Sequence, residues 1–305
     1  MHRRCSWLLL VLLCAPAARA DDAGDSDASQ SVRLQGALGL TGFMDMVDAR
    51  TPGLLSIRGG SRYQLDVRDR RFEASSGSLV REERHHEIWT HVGVSLLGFI
   101  DASARIPFVW DRQTTDIRGG PDVRDNSHGW GDLDLAAKIT LEFGPFTVAP
   151  YAWGRIPTGE PKVQDLAELN YGAAGTLSLF SSYLSFHANL AGIQKETGIS
   201  GLRYRLGLAF CPWASDSYLI RAFAYADGVE YEGSGNGDLD AKFGVQVILF
   251  ETLTAEVGAG YRIIEGDQID DALKRQLRGI DSTALRRHIE GEGAWTIQLA
   301  IGTAF

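Results

Sequence analysis

From Leu54 to the end of the chain, apolar side chains return at every second position, in runs separated by polar, glycine-bearing stretches. In the clearest run Leu133, Leu135, Ala137, Ile139, Leu141 and Phe143 alternate with Asp132, Asp134, Ala136, Lys138, Thr140 and Glu142. Successive strand side chains point to opposite faces, so each run predicts a β-strand with one apolar and one polar face. Leu55, Ile57, Tyr63, Leu65 and Val67 stand against Arg58, Arg62, Gln64 and Asp66, and Ile88, Val92, Val94 and Leu96 against Glu87, Trp89, His91 and Ser95. Ile100 to Phe108 set apolar residues against Asp101, Ser103 and Arg105. The pattern recurs at 184–190, with His187 and Asn189 on the polar face, and at 202–208, with Arg203 and Arg205. It recurs again at 238–249, with Asp238, Asp240, Lys242 and Gln246, and at 253–261, with Thr254 and Glu256. The closing run sets Trp295, Ile297, Leu299, Ile301, Thr303 and Phe305 against small or polar residues. With less regular segments near 146–157, 168–179 and 218–228, the expected count is twelve strands.

The connections alternate short and long. Short turns fall near Gly98, Gly144-Pro145, Ser181-Ser182, Cys211–Ser217 and Glu251-Thr252; long polar links fall near 69–84, 112–129, 158–167, 194–200, 229–236 and 263–293. Phe143, Phe146, Phe180, Tyr183, Trp213, Tyr218, Phe250 and Phe305 gather on the short-turn side, and Trp110 and Trp130 on the long-link side. Aromatic rings favour the headgroup level, so two girdles are expected. Together these features predict an all-β fold, a transmembrane antiparallel up-and-down β-barrel of about twelve strands with short periplasmic turns and long outer loops. Trp295, Ile297, Leu299, Ile301 and Phe305 form the expected barrel-closing signal. Arg58, Arg62, Arg105, Asp132, Asp134, Lys138, Arg203, Arg205, Asp238, Asp240 and Lys242 are the expected lumen-lining residues, because they occupy the polar face. Their charges read either as mutual cross-strand pairs or as a charged constriction.

The amino terminus changes where this barrel is expected. Arg3 and Arg4, the apolar Trp7–Cys14 and Ala18-Arg19-Ala20 read as a secretory signal peptide over 1–20. Residues 21–52 are expected to form a periplasmic segment, partly disordered in its acidic, Ser-rich start; Val32–Pro52 reads as a tucked segment or a leading strand. Residues 53–305 are the expected barrel, with a long last loop at 263–293 whose helix-like spacing fits a lid or a plug. The formal net charge of −9 argues against a nucleic-acid partner. Two of the three cysteines lie in the signal, which leaves Cys211 without an internal disulfide.

No motif for a catalytic centre, metal or cofactor emerges. His85-His86 point to opposite faces of a strand, and the acids of 112–129 lack calcium-loop spacing. His187 points inward with no obvious serine partner, which weighs against the outer-membrane lipase alternative.

Gly131-Asp132 through Lys138, a Gly-Pro turn, and then Arg155-Ile-Pro-Thr-Gly159 resemble the signature of the outer-membrane barrel transporter family of the phenol-degradation (MetA-pathway) type. Phe186-His187-Ala188-Asn189-Leu190 is similar to that family's following strand. The resemblance covers about 53–305 and implies a passive channel or transporter for small molecules, apolar ones included. The alternative is a closed barrel with a structural or surface-interaction role. The implied partners are outer-membrane lipid, the barrel-assembly machinery and an unspecified small-molecule cargo, with the chain as a monomer.

Overall fold

The structure is a computed structural model describing residues 42–43, 46–51, 55–74, 77–117, 123–161, 163, 167–179, 183–195, 200–214, 217–232, 237–250, 252–264 and 294–304. Two short strands, β1 (Gly42–Phe43) and β2 (Met46–Val47), precede the barrel. The wall consists of β3 (Leu55–Ala74), β4 (Gly77–Leu96), β5 (Ile100–Ile117), β6 (Val123–Trp130), β7 (Leu133–Ile139), β8 (Leu141–Phe143), β9 (Phe146–Ile156), β10 (Glu168–Leu179), β11 (Leu184–Lys195), β12 (Ser200–Ala214), β13 (Tyr218–Tyr231), β14 (Asp238–Leu249), β15 (Leu253–Ile264) and β16 (Ala294–Ala304). Both β6 and β7 pair with β5, and both β7 and β8 pair with β9. The three are therefore pieces of one spanning strand, broken at Gly131-Asp132 and at Thr140, and the wall has twelve strands. Every pairing is antiparallel, and β16 pairs with β3 from Ala294↔Arg68 to Ala304↔Arg58. That last ladder closes the sheet and leaves no edge to template association.

Alternation puts the apolar face outward. Leu206, Leu190, Phe243, Val257 and Ile301 stay exposed, while Arg58, Lys138, Gln246 and Gln298 are buried inside. A soluble fold would do the reverse; this inversion is what lipid outside and a polar lumen require. Phe143, Phe146, Tyr183, Trp213, Tyr218 and Phe250 lie exposed near the short turns. Trp130, Tyr171, Tyr261 and Trp295 lie toward the other end. Phe180 and Phe305 fall outside the described residues, as do 1–41 and 265–293, so the expected signal peptide and most of the last loop are not described.

Two links expected to be loops are strand. The 69–84 stretch continues the β3–β4 ladder up to Ala74↔Gly77, and most of 112–129 continues β5 and β6 up to Thr115↔Val123. Above the lipid both faces of a hairpin meet water, so the apolar alternation fades although the backbone ladder continues.

The leading segment is tucked. Residues 46–51 lie buried inside the barrel, with Val47 and Ala49 against Ala136, Ala149, Tyr151, Trp153, Ala174 and Ala191. Met46 packs with Ala209, Phe223 and Tyr225. Gly207 faces it, and a Cβ there would lie 3.0 Å from the Met46 methyl and 2.5 Å from the Tyr225 Cβ, so the wall is thinned where the segment enters.

Candidate functional site: a plugged lumen beneath an outer vestibule

The inward faces of β7, β10 and β11 hold residues 46–51 through side chains. Asn189 receives the Val47 amide at 2.8 Å and donates its own amide to the Val47 carbonyl at 2.8 Å, acting as one rung of a ladder. Thr176 accepts from the Ala49 amide at 3.1 Å, and the Thr140 hydroxyl donates to the Ala49 carbonyl at 2.8 Å. Lys138 Nζ donates to the Asp48 carbonyl, and at 2.6 Å to the Arg50 carbonyl. The segment's own charges pair with each other, Arg50 Nη2 to Asp48 Oδ2 at 2.6 Å. Buried backbone groups must be satisfied, and here neutral wall residues and one lysine do it without a continuous ladder. A segment held this way can leave without breaking the barrel's own hydrogen bonds.

His187 belongs to this set. Thr176 Oγ1 lies 3.1 Å from Asp48 Oδ1 and 3.2 Å from His187 Nδ1, and Ser185 Oγ lies 2.8 Å from His187 Nε2. With the threonine hydroxyl given to Asp48, Nδ1–H donates to Thr176 and Nε2 accepts from Ser185. His187 therefore does have a serine partner, two residues away on the same face of β11. All of these groups are buried beneath the tucked segment.

Around the segment the wall charges meet opposite charges in small clusters. Arg58 pairs with Asp101, which also accepts from Ser95 at 3.2 Å and lies 3.7 Å from Lys138 Nζ. Arg62 meets Glu256 at 2.9 Å and Gln298 at 3.1 Å, and Gln246 donates to Glu256 at 2.8 Å. Higher up, Asp134 accepts from Arg105 Nε at 2.7 Å and Arg155 Nε at 2.9 Å. Asp227 gathers Arg205 at 2.9 Å, Lys242 at 3.2 Å and Arg203 at 3.9 Å. Arg262 pairs with Asp240 at 2.8 Å and Asp238 at 3.6 Å. Of the expected lumen residues, Arg105, Arg203, Arg205, Asp238, Asp240 and Lys242 line a cavity of about 590 Å³ on the long-link side of the segment. Arg58, Arg62, Asp134 and Lys138 are buried in the inward network. Sequence reading missed Asp48, Arg50, Arg155, Thr176, Asp227 and Arg262. For Arg155, Asp227 and Arg262 strand parity was an available signal.

The cavity interleaves charge with rings. Arg105 lies over Trp89 at 4.7 Å and Arg155 over Trp153 at 5.5 Å. Both signs line each side of the cavity: Asp66, Glu83 and Glu87 with Arg68 on β3–β4, and Arg155, Arg203, Arg205 and Lys242 with Glu168, Asp227 and Asp240 on the opposite arc.

Asp132 does something else. At the break between β6 and β7 it accepts from the Gly159 amide at 2.7 Å, while Thr158 Oγ1 accepts from the Leu133 amide at 3.0 Å. The Glu160 amide donates to the Trp130 carbonyl at 2.8 Å. A Cβ at Gly159 would lie 2.8 Å from the Gly131 carbonyl carbon, so only glycine allows this approach. Gly131-Asp132 and Pro157-Thr158-Gly159 are thus two halves of one clasp, while Lys138, at the far end of the first motif stretch, and Asn189, in the Phe186–Leu190 stretch, hold the tucked segment.

The chain belongs to the family described as "Putative MetA-pathway of phenol degradation". That family's sequence profile matches residues 20–198, more than half of the chain and all four motif stretches. Among solved structures, the barrel is similar to an outer membrane channel from Pseudomonas putida F1, at a TM-score of 0.57 and 11% identity, covering 86% of this chain and 100% of that one. It is less similar to the translocator domain of the autotransporter NalP from Neisseria meningitidis, at a TM-score of 0.45 and 14% identity, covering 84% and 90%. No curated protein matches the chain. With its lipid-facing belt and closed wall, this member of the family is a bacterial outer-membrane β-barrel.

Proposed function

We propose that the chain is a passive conduit for small molecules whose lumen is closed by its own residues 46–51, so that passage requires their displacement. The carrying observation is the mode of attachment: side-chain hydrogen bonds hold the segment beneath an outward cavity of about 590 Å³. The cargo class follows from the rings in that cavity, Trp89, Tyr151 and Trp153, which favour a planar aromatic solute. The family's phenol-degradation description agrees with such a cargo. Cation–π pairs on two of these walls would also accept a polar substituent on the ring.

The chain is read as non-catalytic: Ser185 and His187 lie beneath the tucked segment, with no room for a substrate at the hydroxyl. It is read as a monomer, delivered to the membrane by the barrel-assembly machinery. The second reading, a closed structural barrel, draws on the buried ion pairs at Asp101 and Glu256.

Single-channel recording in a planar bilayer separates the two readings. The wild-type chain and a variant lacking residues 42–51 would both be refolded and checked by a heat-modifiable gel shift. The conduit reading expects rare openings in the wild type and stable ohmic steps in the deletion. A folded deletion variant that stays silent would establish the structural reading instead.

A further inference from the structure

On the outward face of the β3–β6 extension two arginines stand side by side. Arg84 of β4 and Arg112 of β5 are direct cross-strand partners, and both are exposed. Parity places them outward, on the face of Ile88 and Val92 in β4 and of Ile106 and Phe108 in β5. Among the described residues neither has an ion-pair partner, and Glu82, exposed two positions further along the same face, is not bonded to Arg84. Like charges directly opposite on a ladder are destabilising, and an anion between them would relieve that repulsion.

Their height identifies the anion's source. Leu96 and Ile100 are partners at the periplasmic end, and Arg84 and Arg112 each lie twelve residues along the strand from them. Twelve residues at about 3.3 Å, on a strand tilted about 45°, rise about 28 Å. The apolar band of such a barrel is about 25 Å tall. The pair therefore sits just above the lipid tails. The rungs beneath agree: His86 stacks on Trp110 at 4.9 Å, Tyr63 Oη lies 3.0 Å from His86 Nδ1, and Phe108 meets Trp130 edge-on at 5.3 Å. An aromatic platform topped by two cations matches, level for level, the order of groups in a phosphorylated outer-leaflet lipid, acyl chains below and phosphate above.

We propose that Arg84 and Arg112 bind the phosphate of an outer-leaflet glycolipid headgroup, whose chains rest on the Tyr63–His86–Trp110 surface. Two guanidiniums offer paired N–H donors to one phosphate, a geometry lysines would not reproduce. The site faces away from the lumen, so it stands independently of any transport role.

The test uses the refolded, delipidated full chain in detergent, with bound lipid counted by native mass spectrometry. The wild type is expected to retain bisphosphorylated lipid A about tenfold better than the same lipid with its phosphates removed. The folded double variant Arg84→Ser/Arg112→Ser should lose that preference. If the double variant does not fold, the wild-type comparison of the two lipids still decides. Equal retention of both lipids by the wild type would overturn the proposal, as would equal retention of lipid A by a folded double variant. Full displacement of lipid A by millimolar inorganic phosphate would overturn the lipid as the occupant.

Discussion

Asp134 accepts from two guanidiniums, those of Arg105 and Arg155, and is 1% exposed, so its carboxylate bridges the two. Removing one partner of a buried ion pair strands the others and costs about 3–5 kcal/mol. Asp134→Asn is therefore expected to lower the unfolding midpoint in urea markedly, and not merely to shift ion selectivity. An unchanged midpoint would mean that water, not Asp134, solvates the two arginines. The inward placement of Asp134 was legible in the sequence, because it sits in an unbroken alternation with Leu133 and Leu135. Asp132 obeys the same parity and yet turns to the Gly159 amide. Periodicity assumes a continuous strand, and the break at Gly131-Asp132 removes that assumption.

The tucked element was the least legible. Met46-Val47-Asp48-Ala49-Arg50-Thr51 has no period, and its partners Thr140, Thr176 and Asn189 are neutral polar residues that alternation can only mark as inward. Nothing local distinguishes an asparagine facing water from one serving as a ladder rung for another segment. The long hairpins were misread for the opposite reason, since strands in water on both faces need no apolar face. Asn189→Ala removes two hydrogen bonds to Val47, each worth about 0.5–1.5 kcal/mol net. The segment should then leave its seat roughly ten to a hundred times more often. This would appear as a higher open probability in bilayer recordings, with an unchanged global unfolding midpoint because the Arg58–Asp101 and Arg62–Glu256 pairs remain. A fall in the midpoint without a rise in openings would make Asn189 a part of the wall and not of the latch.

At the scale of the whole molecule the barrel is stabilised from both sides by different solvents. Its outer face gains by meeting hydrocarbon, and its inner face by satisfying buried charge against charge and against residues 46–51. On the outer face the cost of a charge should therefore depend on its depth in the membrane. Leu206 lies in the middle of β12, outward and 63% exposed, between Ala188 and Ala226 on the neighbouring strands. An arginine there would stand near the bilayer midplane, where the cost is about 2–4 kcal/mol, whereas Trp213→Arg near the periplasmic girdle should cost about 0–1 kcal/mol. Unfolding from phospholipid vesicles in guanidinium would measure the difference. Equal costs at the two positions would place the membrane elsewhere on this wall. That would undo the height argument for Arg84 and Arg112 together with the assignment of the girdles. A clear gradient from Leu206 to Trp213 would fix the membrane's lower edge on the same strand ruler that puts the arginine pair at the upper one.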